Sequence, residues 1–155
     1  MTDQKPPRLA GDERAVLMAL LQFQRDSFIR KVTGVGDAEA AESPVGSGTS
    51  LLWLTNHLGD AETTWVLRRF AGRSEAETAR PPATSVKEAV ARYRAVSEEI
   101  DTILGAASLD DLCPPFDDGP PVDVRWIVGH LLEETARHAG HADILRELVD
   151  GDTGR

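Results

Sequence analysis

A single cysteine, Cys113, leaves this chain unable to form an internal disulfide. Nowhere do eighteen apolar residues run free of charge, which excludes a helical membrane span. The first residues, "MTDQKPPRLAGDERAV", are charged and proline-bearing where a signal peptide needs an apolar run, so a cytoplasmic protein is expected. Basic residues are in the minority: 17 Lys plus Arg stand against 26 Asp plus Glu, a net charge of −9. They are scattered rather than gathered on a stripe, which argues against nucleic-acid binding. There is no glycine-rich phosphate loop, no Ser-x-Gly elbow and no paired catalytic carboxylate signature. Strand signals, internal repeats and long low-complexity segments are absent as well.

What is present is helical periodicity. At 155 residues the chain has the length of one domain, 1–155, and can bury about two thirds of its unfolded surface unaided, so any metal would be functional rather than structural. Val16, Leu17, Leu20, Leu21, Gln24 and Phe28 recur at three and four, predicting a helix over 12–32. Thr49 and Ser50 are N-cap candidates for a second helix ending near Gly72 (50–71), and Ser85 with Glu88 has capping-box spacing for a third (85–106). A fourth is expected over 124–149, stopped at Gly151. Four such helices predict an all-α four-helix bundle. The connections between them, one rich in glycine and another carrying two proline pairs and five aspartates, are long for a bundle and could cover its ends.

The last helix carries the chemistry. "HLLEETARHAGHADIL", residues 130–145, holds three of the four histidines within twelve positions. His130, Glu134 and His138 are four apart and form one ridge, with Cβ atoms about 6 Å apart, which His141 continues. Ile127, Val128, Leu131, Ala142, Leu145 and Val149 bracket the ridge and turn part of it toward the core, where unpaired imidazoles and carboxylates are costly. The remaining histidine, His57, lies between Leu54 and Leu58, one turn after Trp53. An i, i+4 pair on one helix with one facing side chain is how bundle-core metal sites are assembled. His57, Glu134 and His138 are therefore expected to converge within about 4 to 5 Å as ligands of one divalent ion, Zn most simply, with Ni, Fe or Mn as alternatives. The bland alternative is a solvated Glu134 and histidines satisfied within the core.

The stretches "GTSLLWLTNHLGDAETTWVLRRFAG" and "VDVRWIVGHLLEETARHAGHADILRELVDG" resemble the DinB-like superfamily of four-helix bundles, specifically its small actinobacterial branch. The resemblance covers nearly the whole chain. The usual metal set there is a histidine on the second helix and an H-x-x-x-H pair on the last, followed by an R-G-Q-like tripeptide. Here Glu134 replaces the first of the pair and "AGH" stands where R-G-Q would. The mycothiol-dependent maleylpyruvate isomerases are similar in using a His, Glu, His zinc set, which the resemblance carries onto His57, Glu134 and His138. It further implies a low-molecular-weight thiol, mycothiol or bacillithiol, bound through sulfur and transferred to an electrophile. The expected partners are thus a small-molecule thiol and an electrophilic substrate, with a homodimer left open. The alternative is a non-catalytic ligand-binding or stress-response bundle.

Around the ligands, two residues are candidates for catalysis. His141 is a hydrogen-bond partner behind a ligand or a general base, against a plain polar residue at the rim; Arg137 would steer an acidic group, against a solvated helix face. Trp53, Trp65 and Trp126 read as core or pocket-wall residues, with Trp53 the candidate for contacting a bound thiol. Cys113, in "DDLCPPFDD", has nothing cationic near it in sequence and is not a nucleophile candidate.

Overall fold

The computed structural model describes residues 4–116 and 118–153. Four long helices form a bundle: α1 (Glu13–Val32), α3 (Leu51–Glu62) prolonged by a π-helical segment (Thr63–Phe70), α5 (Val86–Ala106) and α6 (Val124–Asp150). Two short helices, α2 (Asp37–Ala41) and α4 (Glu75–Thr78), lie in the connections, where turn residues had hidden them from a periodicity argument. α1 packs on α6, and α3 packs on both α5 and α6. The only pairing of strand type among the described residues is an isolated bridge between Leu112 and Asp123. No described helix is long and apolar enough to cross a membrane.

The helix ends follow local chemistry. Asp12, Ser50, Ser85 and Asp123 each accept a hydrogen bond from a first-turn backbone N–H, satisfying donors that the helix itself leaves open. Ser85 does so from the Glu88 N–H, but the capping box complete in both directions is at Ser74 and Glu77 instead. α6 stops at Gly151, whose φ of 76° is the left-handed conformation that costs glycine least. The π segment departs from the second predicted helix. Its Ala71 N–H reaches the Val66 carbonyl five residues back at 2.8 Å, and Gly72, at φ 71°, turns the chain out.

The core is divided. One half gathers Phe28, Val32, Leu54, Leu58, Tyr93, Ala139, Ala142 and Leu145; the other gathers Leu21, Val66, Ile100, Leu104, Ile127, Val128 and Leu131. Val45 of the first long connection packs on the former, and Leu109, Cys113 and Val122 of the last join the latter. The two connections thus close opposite ends of the bundle.

Between the halves lies a polar layer that periodicity did not reveal. Arg25 and Glu62, each 1% exposed, pair through Nε to Oε1 at 2.7 Å and Nη2 to Oε2 at 3.0 Å. The Ser97 and Tyr93 hydroxyls donate to the same carboxylate at 3.0 and 3.3 Å, and Arg25 Nη1 reaches Asp101 at 2.8 Å. Burial pushes the Glu62 carboxyl up in spite of the guanidinium beside it. Thr135 on α6 lies at the same level, its hydroxyl donating to the Leu131 carbonyl, and adjoins Glu134.

Candidate metal centre and its aromatic flank

α3 and α6 run antiparallel along one groove, since His57 meets His138 while Trp65, two turns later, meets Trp126 and His130. His57, Glu134 and His138 present one nitrogen or oxygen each, all within 4.8 Å of one another, and all three side chains are half-buried. Glu134 Oε1 is the hub: His57 Nε2 lies 2.9 Å from it and His138 Nε2 3.1 Å. A set of two imidazoles and one carboxylate at this spacing could hold a divalent ion.

The electrostatics prepare the donors. Burial opposes the Glu134 charge, but the two imidazoles more than offset it and hold the carboxyl below its ordinary range. For His138, burial is the largest influence and lowers the pKa despite the facing carboxylate, favouring the neutral imidazole that a metal requires. With Glu134 ionised, both Nε2 atoms carry the protons that it accepts.

Trp53 stacks on the His57 ring, with centroids 4.9 Å apart and planes 6° from parallel, which fixes the plane of the imidazole. It is 50% exposed, so it is a wall of the groove rather than a core residue, as is Trp126 at 45%. His141 Nδ1 lies 3.2 Å from His138 Nδ1, on the far side of the ring from Glu134. It also borders a cavity of about 290 Å³ lined by Val45, Ser47, Thr49, Ile144 and Leu145. Arg137 is not among the converging groups: it projects to solvent and pairs with Glu133 one turn back.

His130, on the same ridge, belongs to a different cluster. Its ring stacks on Trp126, 5.0 Å apart and 15° from parallel, and meets Trp65 at 4.9 Å. Phe116 closes the cluster against Trp65. Arg69, which sequence reasoning passed over, lies over both the Trp65 and Phe116 rings. Its one sequence signal is the i, i+4 spacing from Trp65. Arg69 also corrects the expectation for Cys113, which has a cation beside it after all, yet burial is the larger influence and pushes the thiol up. Cys113 is 1% exposed, turned into the core rather than carried on a solvated loop.

The profile of the mycothiol-S-transferase family matches residues 16–151. Two solved structures share the fold. A conserved protein from Enterococcus faecalis superposes with a TM-score of 0.70 at 17% identity, covering 92% of this chain and all of its own. A DinB-like protein from Bacillus cereus gives a TM-score of 0.61, also at 17% identity, with 82% and 88% coverage. No curated protein matches the sequence.

Proposed function

From its membership of the mycothiol-S-transferase family, to which the chain belongs within the DinB-like superfamily, we propose that this protein is a cytoplasmic, divalent-metal-dependent enzyme. It would take a low-molecular-weight thiol, mycothiol or bacillithiol, and transfer it to an electrophile. The observation that carries this reading is the convergence of His57, Glu134 and His138, all half-buried, within 4.8 Å of one another.

The donor set fits such an ion. Two neutral imidazoles and one carboxylate leave a net charge of +1 with a divalent cation, which one thiolate would neutralise. A divalent ion, zinc being the simplest choice, lowers the pKa of a thiol that it binds, so that thiolate is present at neutral pH. For the chain, accommodating the ion means moving a proton on His138. His138 must give up the proton at Nε2 and carry one at Nδ1, and His141 Nδ1, 3.2 Å away, is placed to accept a hydrogen bond from it. Trp53 holds the His57 plane, and the hydroxyls of Ser47 and Thr49 in the adjoining cavity offer hydrogen bonds to the polar body of the thiol.

The test begins with element analysis of protein purified without chelator or histidine tag, followed by calorimetry of thiol binding and transfer to a panel of electrophiles. His57→Ala and His138→Ala should lose both metal and thiol binding while remaining helical, because the bundle has its own apolar core. Glu134→Gln should be milder for metal retention, since an amide oxygen still coordinates. If protein loaded in turn with zinc, nickel and manganese binds no thiol and transfers none, the enzyme reading gives way to a ligand-binding one.

A further inference from the structure

The described arginines of this acid-rich chain divide into those that hold a carboxylate and those, Arg14, Arg30, Arg68 and Arg69 among them, that do not. Arg25, Arg73, Arg92, Arg125, Arg137 and Arg146 each hold a carboxylate. Arg69 has none within ion-pair distance among the described residues; its contacts are ring faces, with Cζ 4.1 Å from the Trp65 centroid and 3.8 Å from that of Phe116. The two rings stand 88° apart, so the guanidinium occupies the corner that they form. The rings beside it strip water from the cation, and no described residue is seen to accept a hydrogen bond from its five N–H donors. A bidentate carboxylate would satisfy two of them.

Beside that corner is a stack of rings. Trp126 and His130 lie face to face and nearly parallel, Trp65 leans on both, and Trp126 and Phe116 are 45% and 37% exposed, so the outer face of Trp126 is open. The stack has a fixed place relative to the metal donors. His130 precedes Glu134 by one helical turn, about 6 Å along α6, and Trp65 follows His57 by two turns on the facing wall. The π segment carries both Trp65 and Arg69, and this rare, wide-turned form recurs at functional sites. A cation-bearing aromatic surface thus lies along the groove from the donors, on the opposite side from the cavity beside His141.

We propose that Arg69, Trp65 and Trp126, with His130 backing the Trp126 ring, form the acceptor subsite, and that the acceptors it takes are flat, carboxylate-bearing molecules: the carboxylate pairs with Arg69 and the planar body lies on the exposed face of Trp126. A locally positive corner is needed for such a ligand, because the chain as a whole carries −9 and repels anions. The assignment of the bound molecule as thiol acceptor rests on the function proposed above; the binding of planar carboxylates at Arg69 does not.

Benzoate and its neutral isostere benzamide are the probes, titrated into chelator-treated protein so that no carboxylate can bind a metal. The readouts are the NMR signals of the Trp53, Trp65 and Trp126 indole N–H groups and the Arg69 Nε–H. Benzoate should shift Trp65, Trp126 and Arg69 saturably and leave Trp53 unmoved, and benzamide should bind about tenfold more weakly, the loss of one charge-assisted pairing. Arg69→Gln should keep the fold by circular dichroism and lose the preference for benzoate. His138→Ala should keep it, so a failed thiol assay with this result intact removes only the transferase reading. Absence of saturable shifts, equal binding of benzamide, or an undiminished preference in Arg69→Gln overturns the subsite. An Arg69 that merely clamps the Phe116 loop would give the last of these.

Discussion

Truncating Glu62 to alanine tests the polar layer at the middle of the bundle. The substitution removes the acceptor of four donors: two from Arg25, one from Ser97 and one from Tyr93. Ser97 keeps its bond to the Tyr93 carbonyl, so its hydroxyl loses little. Arg25 loses most, because it stays 1% exposed with only the Gln22 amide oxygen, at 3.3 Å, and the half-exposed Asp101 as partners. Stranding a buried charge costs about 3–5 kcal/mol, and the surviving Asp101 contact puts this case at about 3–4 kcal/mol. For a domain of this size each kcal/mol is roughly 2–4 °C, so the melting temperature should fall by roughly 6–16 °C. The assay is urea unfolding followed by circular dichroism on metal-free protein, so that metal linkage does not mask the change. Replacing both partners, as Arg25→Met with Glu62→Leu, should recover most of the loss, since well-packed apolar groups often substitute for a buried ion pair at little cost. A loss below about 1 kcal/mol for Glu62→Ala, or a double variant no more stable than the sum of the two singles, refutes the reasoning.

Three further outcomes are expected. His141→Ala should weaken zinc binding about 10- to 100-fold in a chelator competition, and His141→Gln should restore part of it, because Gln can still accept from His138 Nδ1; unchanged affinity in both would remove His141 from the site. Metal-free protein should lose stability in acid: His138 titrates below its usual 6.5 and Glu134 below its usual 4.5 when folded, so the unfolded chain binds more protons in each case. The first loss therefore begins as pH falls through about 6.5 and the second as it falls through about 4.5; melting curves of wild type and His138→Leu should separate the two, and parallel curves between pH 7.5 and 5.5 would contradict the first. Cys113, buried and with its thiol pushed up, should react with a disulfide reagent only on unfolding, and modification of native protein at the rate of a free thiol would contradict its placement.

Sequence by itself determined whatever depends on neighbours three and four residues apart. The four long helices were legible from their apolar spacing, three of their ends from Ser50, Ser85 and Gly151, and the common face of Glu134 and His138 from one helical turn. That His57 would seek a partner was legible as well, from a lone imidazole among leucines. What tertiary structure decided lies at long range. The approach of His57 to Glu134 spans 77 positions and that of Arg25 to Glu62 spans 37. No local period records which groups will meet across a bundle, so Arg25, Glu62 and Arg69 read only as charges on otherwise amphipathic helices. His130 shows the limit most directly. It shares a ridge with Glu134 and His138, yet the antiparallel path of α3 sets Trp65 opposite it instead of His57, and that gives it to the aromatic cluster. Cys113 is buried for the same kind of reason: Leu109, Cys113 and Val122 pack onto an end of the bundle that would otherwise be bare, and that end exists only once the helices have packed.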